Sequence, residues 1–271
     1  MKNCIRIAFY GKGGIGKSTV AANVSASLAN MGKKVLHIGC DPKSDSTRTL
    51  MGRRIPTVLD MLCEKGQICA EDILFQGYAG VTCGETGGPR AGKGCAGRAI
   101  TVMAEQLESL HVFEENWDVI VYDVLGDVVC GGFAVPMRER LADLVYIITS
   151  AEFMSLYAAN NIIRSIAEIQ QESDIRFGGI IYNQRNAGTG KERVEELAAV
   201  TNSILTSSVS YSKEIEIAEY QGKTVVEYAP DSLAAGQFAH LAEKILRKET
   251  AGIPRAMSDS QMDQFCKSFM G

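Results

Sequence analysis

No pair of cysteines stands at Cys-x-x-Cys spacing in this chain, although it has eight cysteines. That absence removes the zinc ribbon and the single-chain ferredoxin pattern. Long apolar runs are missing as well, since none approaches the roughly 18 residues of a membrane span. There is no basic excess: 28 Lys and Arg face 32 Asp and Glu, for a formal net charge of -4, which argues against a dedicated nucleic-acid binder. The apolar run 7–10 that follows Lys2 and Arg6 breaks at Gly11, too soon for a secretory signal. The expectation is a cytoplasmic protein with no nucleic acid and no membrane among its partners. Internal repeats and low-complexity linkers are also absent, and His37, His111 and His240 are scattered, with no ligand partner at useful spacing.

What is present is an alternation of short β-branched runs with amphipathic stretches of helical length. Strands are expected near 5–10, 35–39, 119–124, 144–149, 177–182 and 205–209, and helices near 17–31, 57–64, 96–109, 155–171, 191–201, 213–220 and 232–247. This is the signature of right-handed βαβ units, so the fold class is α/β, a mostly parallel sheet with helices on both faces. One domain, 1–271, is expected, with a tail from about 250. The segment 77–97 is too rich in glycine to be read as a core element, and a loop of that length is usually functional or disordered. In the tail, Ser258, Asp259 and Ser260 resemble a helix cap, and Met262, Phe265 and Phe269 fall on one face that would pack on a neighbour.

Residues 11–18, Gly11-Lys12-Gly13-Gly14-Ile15-Gly16-Lys17-Ser18, match G-x-x-x-x-G-K-[ST] between an expected strand and an expected helix. Glycines let backbone N–H groups point inward around phosphates, and the helix N-terminus adds partial positive charge. Lys17 would reach the β- and γ-phosphates, and the Ser18 hydroxyl would ligate magnesium. The same glycines also spell the dinucleotide fingerprint G-x-G-x-x-G, with Asp41 at about the right distance. Lys17 and Ser18 discriminate, because a Rossmann helix needs no cation there while a magnesium nucleoside triphosphate needs both. Asp123 closes an apolar strand as a Walker B carboxylate does, and Asp127 follows in the next loop. One of Asp41, Asp45 and Asp127 would position water or act as base. Lys12, a second lysine inside the loop, resembles the deviant Walker A group of P-loop ATPases, whose extra lysine acts across a dimer interface.

Cys95 and Cys130 stand apart from the other cysteines. Both are flanked by glycines, and both are placed to sit near a helix N-terminus, which lowers a thiol pKa. Two thiolates fall short of the four ligands of a 4Fe-4S cluster, but a two-fold dimer supplies four. The other six cysteines read as structural, free cysteine being a common small core residue.

Residues 11–18, Gly39 to Lys43, Gly87 to Pro89, Gly94 to Arg98, Tyr122 to Phe133 and Tyr157 to Asn161 together resemble the nitrogenase iron protein (dinitrogenase reductase) family, and the likeness runs through nearly the whole chain. The resemblance implies an ATP-hydrolysing oxidoreductase component. It would be a homodimer with one 4Fe-4S cluster held by Cys95 and Cys130 of both subunits. Each subunit would bind MgATP, and hydrolysis would drive single-electron transfer to a larger nitrogenase-like catalytic component. A low-potential ferredoxin or flavodoxin would be the electron source. Residue by residue, Gly11, Gly13, Gly14, Gly16, Lys17, Ser18 and Thr19 form the phosphate loop, and Lys12 acts across the dimer. Asp41 and Lys43 lie near the γ-phosphate, Asp45 and Asp123 near the nucleotide and its metal, and Asp127 activates water. Asn183 contacts adenine. The segment between Asp123 and Cys130 couples nucleotide state to the cluster, and Arg98 lies on the docking surface, where some members are ADP-ribosylated.

Two departures mark a divergent member. Ser210, Tyr211 and Ser212 stand where the family has Pro-Arg-Asp, which unsettles the adenine contacts, and Ala99 replaces a glycine beside Arg98. The catalytic component therefore remains open among nitrogenase, tetrapyrrole reductases and methylthio-alkane reductase. Arg98 and the tail resemble the nitrogenase side. A non-redox switch ATPase of the same fold, of the partitioning or positioning type, is the competing reading, and it expects no iron.

Overall fold

A computed structural model describes residues 4–88, 96–124, 126, 134–139, 141–186, 188 and 190–269 of the chain, without the side chains of Ala96 and Cys266. Cys95, Asp127 and Cys130 lie outside the described residues. The strands are β1 (Ile5–Tyr10), β2 (Val35–Gly39), β3 (Phe75–Gln76), β4 (Thr82–Glu85), β5 (Val119–Asp123), β6 (Leu144–Thr149), β7 (Arg176–Asn183) and β8 (Leu205–Val209). They form one sheet in the order β3-β4-β2-β5-β1-β6-β7-β8. Every pairing is parallel except β3 with β4.

The near-continuous apolar character of the inner strands follows from burial on both faces. Ile7 and Phe9 of β1 pack with Val20, Val24 and Leu28 of helix Lys17–Asn30 and with Phe238 and Leu241 of helix Leu233–Leu246. Ala8 and Tyr10 point the other way, toward Ile162 and Ile166 of helix Phe153–Ile169 and Met103 and Leu107 of helix Ala96–Ser109. Each fully buried side chain of this kind contributes about 1.5–3 kcal/mol. Because β1 lies between β5 and β6 and β2 pairs with β5, the loops after β1, β2 and β5 emerge side by side at one edge of the sheet. That edge is where ligands bind in open parallel sheets.

The six expected strands and seven expected helices are found, with ends shifted by a residue or two. The reading of 77–97 is corrected in part: Thr82–Glu85 is a fully buried strand, paired in parallel with β2 from Leu36 to Gly39. Its four residues Thr-Cys-Gly-Glu carry no apolar alternation, so the pattern concealed it. Of its polar side chains, Thr82 accepts from Gln76 Nε2 at 2.8 Å, and Glu85 belongs to the site described below.

The tail folds as expected. Ser258 caps helix Asp259–Lys267 in a reciprocal pair with Gln261 (Gln261 N to Ser258 Oγ 3.3 Å, Ser258 N to Gln261 Oε1 2.9 Å). Met262 and Phe265 are buried in the main core. The tail is fastened by Asn160, which accepts from Met257 N at 2.8 Å and donates to Met257 O at 3.0 Å. Asn160→Ala strands the Met257 N–H, while Met257 O keeps the Arg164 guanidinium at 3.0 Å, a loss of about 1–3 kcal/mol. Amide exchange from 257 to 267 should then speed up while the sheet is unchanged. Unaltered exchange in the tail would contradict this.

Candidate functional site

The loop after β1 has a shape that only glycine sustains at its critical positions. Gly16 adopts φ +92° as the residue before helix Lys17–Asn30, and no side chain caps that helix. Its first-turn N–H groups are thus available to an anion, and no acidic residue opposes one. A Cβ on Gly16 would lie 2.4 Å from Asn183 Nδ2. Asn183, at the end of β7, donates to Ile15 O at 2.8 Å and so pins the loop. From the opposite side comes Gly126, where a Cβ would stand 2.5 Å from both Gly11 O and Gly13 N. The segment after β5 therefore rests directly on the phosphate-loop backbone.

Ser18 and Asp123 meet as the motif requires. The Ser18 hydroxyl donates to Asp123 Oδ2 at 2.6 Å, while Asp123 Oδ1 is buried without a hydrogen-bond partner among the described residues. Burial raises the Asp123 pKa, with Lys17 and the hydroxyls of Ser18 and Ser46 pulling it back and Asp41 adding to the rise. Lys17 is itself buried. A buried, partly unpaired carboxylate beside a serine hydroxyl and the glycine cradle fits magnesium with a triphosphate, whose charges would complete the set.

The loop after β2 brings further groups. Asp41 Oδ1 accepts from Lys43 N at 3.0 Å, and Lys43 and Asp45 are exposed. Lys12 is exposed at the tip of the phosphate loop, and Thr19 donates to Glu219. Glu85, at the end of β4, accepts from Thr47 N at 2.7 Å and Thr47 Oγ1 at 2.8 Å, and its Oε2 has no partner among the described residues. Burial first, then the charges of Asp123 and Asp45, push Glu85 up to about 7 against the pull of its Thr47 bonds. No motif or spacing marks Glu85, since it sits in the glycine-rich segment. His37 is a core histidine: it is fully buried, with Nδ1 2.8 Å from Ser25 Oγ and Nε2 2.8 Å from Ser46 Oγ.

Beside the phosphate loop lies a cavity of about 210 Å³ lined by Gly16, Thr19, Asn183, Arg185, Tyr211 and Glu219, with Ser210 and Ser212 among its other walls. Arg185 donates to Gly14 O. Gln237 holds Ser210 by accepting from its N–H at 2.9 Å and donating to its hydroxyl at 3.0 Å. The departure at Ser210, Tyr211 and Ser212 thus falls in the wall of a pocket shared with Asn183.

Among the described residues no cluster of three or more His, Cys, Asp or Glu is arranged to hold a metal. Cys40 and Cys83 are buried, and burial pushes both thiols far above the usual range, which suits core packing and not ligation. Cys63 and Cys69 are exposed, and Cys69 stands at the N-cap of helix Ala70–Ile73. Helix Ala96–Ser109 starts at the residue after Cys95 and has no acidic residue in its first turn, a setting that favours a thiolate. Arg98 on that turn is exposed, whereas Ala99 is buried and does not belong to the surface on which it was expected.

The model of the 4Fe-4S iron sulfur cluster binding proteins, NifH/frxC family, matches residues 5–270. The chain belongs to that family. It is 47% identical over 270 residues to a nitrogenase iron protein of Methanospirillum hungatei JF-1, covering 98% of this chain and 96% of that one. It is 46% identical over 270 residues to nitrogenase iron protein 2 of Paenibacillus durus, covering 99% and 92%. Among solved structures it is similar to the septum site-determining protein MinD complexed with Mg-ADP from Pyrococcus horikoshii OT3 (TM-score 0.69, 22% identity, 89% of this chain and 96% of that one). A ParA family ATPase from Chlorobium tepidum TLS is alike to the same degree (TM-score 0.69, 18% identity, 89% and 99%). These two show the P-loop fold. Family membership makes the chain an ATP-hydrolysing oxidoreductase component of the nitrogenase-reductase kind.

Burial holds the His37 pKa at about 3, against an ordinary 6.5. Below about 6.5 the unfolded chain takes up a proton that folded His37 refuses, so this residue makes stability fall with falling pH. Glu85, raised by burial, acts in the opposite sense. Comparing His37→Leu with the parent isolates the histidine. Urea unfolding between about pH 6 and 4 should show the variant's slope of stability against pH smaller by up to about 1.4 kcal/mol per pH unit. Equal slopes would contradict the buried neutral state.

Proposed function

We propose that the chain is the ATP-dependent electron donor of a nitrogenase or nitrogenase-like catalytic component, acting as a homodimer. The observation that carries this reading is the 2.6 Å contact between Ser18 Oγ and Asp123 Oδ2 at the mouth of the glycine cradle. It joins the two halves of a magnesium–triphosphate site in a chain of this family. Lys17 meets the β- and γ-phosphates, Ser18 and Asp123 hold magnesium with Asp45 nearby, and Asp41 and Lys43 face the γ-phosphate. Lys12 completes the charge on the partner subunit's nucleotide, the part an arginine finger plays elsewhere. Asp127 orients the attacking water. Asn183, with the wall formed by Ser210 to Ser212, takes the base.

Cys95 and Cys130 of two copies would hold a 4Fe-4S cluster, which supplies one-electron redox chemistry when bound. The segment from Asp123 to Cys130 links the two sites, because Gly126 lies against the phosphate loop and loses its support when the γ-phosphate leaves. Arg98 lies on the docking surface. The names of the full-length relatives favour nitrogenase over a tetrapyrrole or methylthio-alkane reductase as the kind of partner.

Iron and acid-labile sulfide on anaerobically purified protein, with mass by light scattering, test the reading. About four of each per dimer are expected. A dimer free of both after anaerobic reconstitution would make the chain a non-redox switch ATPase. Cys95→Ala or Cys130→Ala should abolish the cluster and leave nucleotide binding, and iron retained in either variant would contradict the assignment. Lys17→Ala should remove ATP hydrolysis and spare the iron. For Asp127→Asn, hydrolysis should slow far more than binding weakens, and a normal turnover rate would remove it as the residue that orients water.

A further inference from the structure

The loop that leaves β2 carries Asp41, Lys43 and Asp45, and its shape is not a relaxed one. Ser44 lies at φ +54°, the left-handed region that glycine favours, and its side chain is buried. Ser44 N donates to Asp41 O at 3.0 Å and Lys43 N to Asp41 Oδ1 at 3.0 Å, which closes a tight turn. Lys43 and Asp45, on either side of the strained residue, are exposed, while Ser46 and Thr47 are buried. A strained residue of this kind persists only where its surroundings fix the chain around it.

The segment that leaves β4 supplies those surroundings. At the far end of the loop, Glu85 Oε1 accepts from Thr47 N at 2.7 Å and from Thr47 Oγ1 at 2.8 Å. At the near end Gly88 rests on Pro42: a Cβ on Gly88 would stand 2.5 Å from Pro42 Cβ and 3.0 Å from Pro42 Cα. Between the two, Arg54 donates to Lys43 O at 3.2 Å. The gripping segment is itself fixed, since Thr86 N donates to Gly39 O at 2.8 Å and Leu59 N to Thr86 O at 3.2 Å. Gly39 makes room for the grip, because a Cβ on it would overlap Glu85 Oε2 and lie 2.8 Å from Ser46 Cβ. We propose that Glu85 and Gly88 clamp this loop at its two ends, Glu85 as a positioning residue, and so hold it in the strained shape that presents Asp41 and Lys43 to the γ-phosphate. This rests on the functional reading above.

An apolar side chain at position 85 would fill the same space without the cost of burying a carboxyl group. What the carboxyl adds is a two-point hold on Thr47, and both bonds need only an oxygen that accepts. Phosphoryl transfer depends mainly on positioning, so a loop free to relax at Ser44 would keep the fold and lose its aim. The consequence is selective. Asp41 and Lys43 face the γ-phosphate, which MgADP lacks, so the clamp acts on the triphosphate and spares the diphosphate.

The test compares, by calorimetry on nucleotide-free protein, the affinity for MgADP with that for magnesium and a non-hydrolysable ATP analogue. Glu85→Leu should weaken the analogue about five- to tenfold, the size of one hydrogen bond lost from the loop, and leave MgADP within about twofold. Glu85→Gln keeps an oxygen acceptor toward Thr47 and should hold both affinities within about twofold of the parent. Gly88→Ala pushes on Pro42 from a half-buried position at the other end of the loop. It should weaken the analogue several-fold and spare MgADP, and it keeps the test decisive if the leucine variant does not fold. Equal losses for both nucleotides, or no loss for either, would make these contacts merely structural and overturn the clamp. Failure of the unaltered protein to bind either magnesium nucleotide would overturn the functional reading, whereas normal binding with unchanged discrimination in the variants would overturn the clamp alone.

Discussion

The close approach of Gly126 to the phosphate loop is the constraint on which the rest of the site depends. With the position of a Cβ only 2.5 Å from Gly11 O and Gly13 N, no larger residue fits without moving one backbone or the other. Two segments that leave neighbouring strands, β1 and β5, are thereby joined in mutual contact. One is the glycine cradle proposed for phosphate; the other begins at the carboxylate that meets Ser18 and runs on toward Cys130. Packed backbones of this kind tend to shift between discrete arrangements and do not deform smoothly. On the proposed reading, a change at the phosphates is a change in the footing of the following segment.

Around that contact the interior is unusually polar for the centre of a parallel sheet. Asp123, Glu85, His37, Ser25, Ser46 and Thr47 are all buried. Burying such groups in place of apolar ones costs stability unless each is satisfied, and two carboxylate oxygens, Asp123 Oδ1 and Glu85 Oε2, have no partner among the described residues. The hydrophobic layers on both faces of the sheet offset that cost and keep the groups in place. The outcome is a site that is rigid in its backbone and electrostatically incomplete, the condition in which a cation and an anion bound together do the most.

The fold was largely legible because inner parallel strands must be apolar throughout, and runs such as Ile5–Tyr10 and Leu144–Thr149 say so directly. Helix Asp259–Lys267 was legible through its cap and the spacing of Met262 and Phe265. The phosphate loop was legible because its geometry demands glycine and its chemistry demands Lys17 and Ser18. Strand Thr82–Glu85 was not, since its burial comes from what its polar side chains hold and not from hydrophobicity. His37 was hidden for the same reason: its partners, Ser25 and Ser46, are 12 and 9 residues away in sequence, at no spacing that a motif encodes. Cys95 and Cys130 stood out by their glycine neighbours, but only the family likeness made them a pair.

In the proposed function, nucleotide state and cluster state are linked through the segment that Gly126 anchors. The most direct measurement is the midpoint potential of the cluster in the dimer, titrated with and without saturating MgADP. By linkage, any difference in nucleotide affinity between the oxidised and reduced protein appears as a shift of potential, about 59 mV for each tenfold difference. The account predicts a shift of tens of millivolts. A potential that MgADP leaves unchanged would contradict it.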